Sequence, residues 1–240
     1  MKTTLRWTLS VGLVLTSGLT GLGHAAAAAS SETSPAITIH VKNYAGVTPK
    51  TMAEAEKVAT GIFQKAGVET RWADVVPTTE NGQENSADHP ARTLADIYLS
   101  IFTREMSDRD GAPNNVMGVA PGNGADRKIV YVFDGNVQAR VWELSSAHSR
   151  GRIDRQVSKA QVLGHVMAHE VGHLLLNQQV HSAHGIMCGE WGLTEFRSAV
   201  LGLLLFTPQQ AEFLRADARR RNTQQETLKV AGLESPAPAL

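Results

Sequence analysis

Hydrophobic and polar positions first alternate at Ala36 to Val41 (AITIHV), where this period of two, with β-branched residues, predicts a half-buried strand. From Thr51 to Gly67 (TMAEAEKVATGIFQKAG) the apolar positions take the three-and-four spacing of a helix, closed by a glycine. Val68 to Trp72 is again strand-like, so the chain opens as strand, helix, strand. Pro77 to Thr93 is polar and full of turn formers, which predicts a surface loop. Leu94 to Phe102 (LADIYLSIF) and Lys128 to Phe133 (KIVYVF) are rich in β-branched and aromatic residues, with Val116 to Ala120 (VMGVA) as a shorter strand between them. These segments predict a mixed, mostly parallel twisted sheet of four or five strands in an α/β (α+β) fold.

The second half reads as helical. Ser158, with Gln161 three residues on, makes a capping box that starts a helix. The run that follows, VLGHVMAHEVGHLLL, is apolar on more than one face and should be buried against the sheet. Asn177, able to adopt the left-handed conformation, ends it. Thr207-Pro208 then reads as an N-cap with proline at the first helical position, opening a last helix, QQAEFLRADARRR. The tail beyond about Leu228 is expected to fray.

The buried helix carries His169-Glu170-Val171-Gly172-His173, the pattern H-E-x-x-H. Four residues turn a helix by ~400° and raise it ~6 Å, so the two imidazoles lie on one face and can converge on one ion. Zinc accepts neutral imidazole at ~2.0–2.1 Å, and a catalytic zinc takes three protein ligands and leaves one position open. Glu170, beside the first histidine, is placed as a general base, and the metal would bring a water's pKa towards neutrality. The third ligand must come from beyond the helix. His181, eight residues after His173, is preferred, and His184 would also reach. Glu190 and Glu195 keep open a rival site in which a downstream glutamate is the third ligand. Manganese or iron would suit the same residues.

These residues resemble the metzincin superfamily of zinc peptidases through HEVGH, a helix-ending turn, a downstream histidine and the methionine of Gly185-Ile186-Met187. The pattern departs from that superfamily, because Leu176 stands at its glycine position and Gln179 at its third-ligand position. Asn177 and His181 would then serve across a slightly longer connection. The region also resembles uncharacterised exported bacterial proteins with an H-E-x-G-H-L-L-L pattern. The resemblance implies a metzincin-like order of elements over roughly Ala36 to Arg220, a methionine turn at Met187 and one zinc ion. It further implies cleavage of a peptide or protein lying extended along a sheet edge. The rival from another class is a secreted, non-catalytic metal-binding module.

Other residues are weighed and set aside. His165 lies one turn before His169, but histidines at the two ends of such a run are ~12 Å apart and cannot share an ion. Cys188, the one cysteine, excludes an intrachain disulfide and reads as a buried free thiol. Trp191 reads as core or pocket wall. His40, His89 and His148 lie in a strand and two polar segments and read as surface residues.

Lys plus Arg total 23, as do Asp plus Glu, and no basic run appears, so neither nucleic acid nor an anionic membrane is an expected partner. The first residues combine Lys2 and Arg6, an apolar stretch to about Leu22, and an alanine run offering A-x-A cleavage sites. Glycines interrupt that stretch, which is also short for a bilayer span. The expected organisation is a signal peptide over 1–29, a zincin-type domain over 30–228 and a tail over 229–240, in a protein exported to the periplasm or medium. Nothing in the sequence specifies an oligomeric state.

Overall fold

The computed structural model describes residues 34–75, 96–121, 128–151, 156–177 and 181–231, all within one unit that begins at Ser34. The leader read at 1–29 and the loop read at Pro77 to Thr93 lie outside the described residues. In β1 (Ala36–Asn43), Ile37, Ile39 and Val41 are buried on one face. Helix α1 (Pro49–Lys65) starts at Thr48, whose hydroxyl accepts from the Thr51 amide, with Pro49 in the first turn. Gly67, at φ +78°, turns the chain into β2 (Glu69–Asp74), which pairs parallel to β1.

Strand β3 (Asp96–Phe102) pairs parallel with β1 on that strand's other side, and β5 (Ile129–Phe133) pairs parallel with β3. The two-residue β4 (Gly118–Val119) runs antiparallel to β5 at the edge, giving a five-stranded sheet of order β2-β1-β3-β5-β4. Ile97, Leu99, Ile101, Val130 and Val132 extend the buried face begun by β1. The expected mixed, mostly parallel α/β sheet is therefore present.

The helix that carries H-E-x-x-H is α4 (Lys159–Leu176). Its capping box is closed in both directions: the Gln161 amide donates to Ser158 Oγ at 3.1 Å, and the Ser158 amide to Gln161 Oε1 at 3.0 Å. Residues from Val162 to Leu176 are buried without interruption, as expected of a helix apolar on several faces. Gly164 makes this possible on the α1 side, where a Cβ would overlap the Ala55 carbonyl oxygen and lie 2.7 Å from Val58 Cβ. Asn177, at φ 49° and ψ 37°, ends α4 in the left-handed conformation.

Three helices have no counterpart in the sequence reading: α2 (Arg104–Arg109), α3 (Asp134–Ser149) and α5 (Leu193–Val200). The longest, α3, buries only Asn136, Val137, Leu144 and Ala147, leaves Trp142 74% exposed and has no side-chain N-cap, so its periodicity is faint. The last helix, α6 (Pro208–Val230), opens at Thr207 as expected: the Gln210 amide donates to Thr207 Oγ1 at 3.2 Å and the Thr207 amide donates to Gln210 Oε1 at 2.9 Å. It continues past Leu228. Its Asn222 carboxamide bonds both the amide and the carbonyl of Ala36, at 3.2 and 2.9 Å, tying the start of β1 to the helix.

Two expectations about histidines are corrected. His40 is buried, 3.4 Å from Asp96 Oδ1 and stacked on Tyr98, because β1 is flanked on both sides by strands. His148 is half-buried in α3 rather than in a polar loop, and His89 lies outside the described residues. Among the described residues no helix is long and apolar enough to cross a membrane.

Candidate metal centre

Helix α4 places His169 and His173 one turn apart on a buried face, and their Nε2 atoms stand 3.1 Å apart. Two imidazole nitrogens on one tetrahedral ion at ~2.0–2.1 Å would be separated by about 3.3 Å, so this spacing suits a shared ion. The Ile186 carbonyl can only accept, so His169 Nδ1 donates to it at 2.7 Å and His169 Nε2 keeps its lone pair for a metal. Burial, followed by the nearby His173 and His181, holds the His169 pKa down at about 3 despite the bond to Ile186, so the ring is the neutral ligand a metal requires.

From Ser182 to Cys188 the chain makes a tight turn. Gly185 takes φ +78°, the Ile186 amide bonds Leu205 O at 2.9 Å, the Cys188 amide bonds Gly185 O at 3.1 Å, and the Ser182 amide bonds Met187 O at 2.9 Å. These bonds set the exposed His181 over the two helix histidines, its ring centroid 5.4 Å from that of His169 and 5.0 Å from that of His173. One ligand nitrogen from each of His169, His173 and His181 lies within 4.8 Å of the others, and this group can hold a metal ion. Met187 is buried beneath it: its sulfur lies 2.8 Å from the position a Cβ on Gly172 would take. Gly189 similarly leaves room for the His181 ring.

The structure brings His169, His173 and His181 together and leaves the rival ligands apart. His184 is exposed, and its carbonyl accepts from the Ser182 hydroxyl. Glu190 lines the same cleft outside the histidine group, while Glu195 caps α5 by accepting from the Gly192 amide at 2.8 Å. His165 is buried against the Gln161 carbonyl, also outside the group. Cys188 departs from expectation, being half-buried on the cleft wall, where its thiol donates to the Glu190 carbonyl. The turn that carries His181 holds it at the surface.

Glu170 sits between the two helix histidines in sequence and is 5% exposed; burial pushes its pKa up to about 8 in the metal-free chain. Its carboxyl fits against β4 only because residue 118 is glycine, since a Cβ there would fall 2.7 Å from Glu170 Oε1. A cleft of about 640 Å³ opens over this group. Its walls are the segment Asn115 to Ala120, Arg140 of α3, and Cys188 to Gly192. Gly118, Arg140 and the Asn136 that braces the first wall were missed from sequence, because only the tertiary fold brings β4 and α3 to the motif.

Fold and site together define a mixed α/β protein with a three-histidine centre able to hold a metal ion, set in an open cleft beside a buried glutamate. No family model and no curated protein matches the chain. Twelve solved chains are similar to it, among them the zinc-dependent peptidase from Methanocorpusculum labreanum (strain Z), with a TM-score of 0.43 and 13% identity over 73% of this chain and 99% of that one. The functional reading therefore rests on the geometry of the site itself.

Proposed function

We propose that this protein is an exported zinc-dependent endopeptidase of metzincin-like build. The observation that carries the reading is the buried Glu170 carboxyl beside a cleft into which His169, His173 and His181 converge. A structural metal site is closed and has no use for a free carboxylate at its edge. Three imidazole ligands suit zinc, which when bound supplies a Lewis acid that acidifies water and polarises a carbonyl. Glu170, beside the histidine group, is placed to accept the proton of the attacking water and pass it to the leaving amine. The Ile186 carbonyl holds the His169 ring in orientation.

Edge strand β4 lines the cleft, and among the described residues it pairs with β5 alone. It offers the backbone on which an extended peptide would add as a further strand, with affinity from main-chain hydrogen bonds. Export rests on the basic, apolar and alanine-rich leader. The test is zinc content and cleavage of an unstructured protein by the mature chain, compared across wild type, Glu170→Gln, His181→Ala and Glu190→Ala. The expected result is zinc without activity in Glu170→Gln, loss of both in His181→Ala, and neither loss in Glu190→Ala. Full activity in Glu170→Gln would overturn the mechanism, and bound zinc without cleavage by the wild type would favour a metal-binding module.

A further inference from the structure

Two buried aromatic side chains next to the metal ligands stand outside the histidine group, Trp191 and His165. Trp191 ends the segment that carries His181, Ile186 and Met187, and its ring meets that of His169 at 5.5 Å between centroids and 85° between planes. The same ring meets His165, one turn before His169 on α4, at 6.3 Å and 89°, and Phe196 of α5 at 5.9 Å and 81°. All three are the perpendicular contacts that aromatic quadrupoles favour. His165 is fixed in its turn, because its Nδ1 donates to the Gln161 carbonyl at 2.7 Å, and Phe196 is buried.

A metal-bound imidazole needs a fixed ring plane. The torsion that turns the ring about its Cβ–Cγ bond is broad, and a carbonyl accepts hydrogen bonds over a wide range of directions. The bond from His169 Nδ1 to the Ile186 carbonyl therefore limits this swing without stopping it. Three rings meet that of His169: His173, His181 and Trp191. The first two belong to the ligand group, and His181 is exposed on its turn. Trp191 is buried, and among the described residues it is the one ring against His169 that is not itself a candidate ligand. Its buried indole Nε1 has no hydrogen-bond partner among the described residues, so what the side chain contributes here is its ring.

We propose that Trp191 is a positioning residue of the metal centre: packed against His165 and Phe196, it holds the plane of the His169 ring so that Nε2 stays aimed at the ion. The segment from His181 to Trp191 then supplies one ligand and fixes another. This role rests on zinc at the three histidines and not on peptide cleavage.

Wild type, Trp191→Leu and Trp191→Phe are compared in three measurements. These are zinc affinity by competition with a chromogenic chelator, the ligand-field spectrum of the cobalt-substituted protein, and the unfolding temperature without metal. Trp191→Leu is expected to bind zinc about 10-fold more weakly and to shift the cobalt bands, as loss of a group that orients a metal-bound histidine typically does. Trp191→Phe keeps a ring and drops the unpartnered donor, and should stay close to wild type in both. A merely structural Trp191 would lower the unfolding temperature of Trp191→Leu and leave zinc affinity and cobalt bands unchanged, which overturns the proposal. So does a Trp191→Phe that binds zinc as weakly as Trp191→Leu. Should Trp191→Leu not fold, Phe196→Leu removes the packing behind the indole: several-fold weaker zinc binding is expected, and wild-type affinity overturns the proposal. A wild type that takes up no zinc overturns it together with the zinc centre. Zinc held through Trp191 in a protein that cleaves no peptide refutes the peptidase reading alone.

Discussion

Gly118→Ala is the sharpest single perturbation of the site. A Cβ at residue 118 would stand 2.6 Å from Glu170 Cγ, 2.7 Å from its Oε1 and 2.9 Å from its Cδ. Ordinary contact between carbon atoms is about 3.5–4.0 Å, so the carboxyl or the strand must move by roughly 1 Å. Glu170 is 5% exposed and has little room to retreat, while β4 is short and held to β5 on one side. On the proposed mechanism either movement spoils catalysis, since it displaces the proposed base or the edge on which substrate would lie. A displacement of this size costs about 10²-fold in rate. The three atoms nearest the added Cβ all belong to Glu170, which is outside the histidine group, so zinc binding should persist. The assay is kcat/KM on a quenched fluorogenic peptide, with zinc content measured on the same sample. Gly61→Ala serves as control, because nothing lies within 4 Å of its added Cβ in the middle of α1. That change should leave activity intact and raise stability by about 0.5–1 kcal/mol. Wild-type kcat/KM in Gly118→Ala, or loss of zinc from it, would refute the reasoning.

Asn136, buried in α3, donates its carboxamide hydrogens to the carbonyls of Pro113 and Val116, at 3.1 and 2.6 Å, and so braces the chain leading into β4. Asn136→Ala should cost about 1–3 kcal/mol through the loss of both bonds, the Pro113 carbonyl keeping the Val116 amide, and raise KM more than it lowers kcat; an unchanged KM would count against β4 as the substrate edge. The metal-free protein should show a particular pH dependence in urea unfolding. Glu170, raised from 4.5 to about 8, keeps a proton in the native state that the unfolded chain has released, so stability falls as pH rises through that interval. His169, lowered from 6.5 to about 3, does the reverse, and stability rises between pH 3 and 6.5. The two oppose each other between 4.5 and 6.5, leaving a decline of about 2 kcal/mol from pH 6.5 to 8. Glu170→Gln should abolish that decline, and an identical pH profile in both proteins would show that the carboxyl is not held protonated.

What could be read from the chain alone was local in origin. The period of two in Ala36 to Val41, the capping box of Ser158 and Gln161, and the left-handed Asn177 are each set by neighbours a few residues away, and each appears where the pattern put it. The spacing of His169, Glu170 and His173 follows from helix geometry alone. Helix α3 escaped because a helix that buries so few side chains writes almost no periodicity into its sequence. His40 misled because its burial depends on having strands on both sides, a fact of sheet order rather than of residue type.

The site divides along the same line. Sequence determined which helix would carry His169, Glu170 and His173 together, since one turn of helix fixes their relation. Only the tertiary structure decided that His181 rather than His184 joins them, through the hydrogen bonds of the Gly185 to Cys188 turn. It also decided that Gly118 would make room for Glu170 and that Arg140 and Trp191 would line one cleft. Those contacts join residues dozens of positions apart, and no spacing rule reaches across them, because their distances are set by how sheet and helices pack.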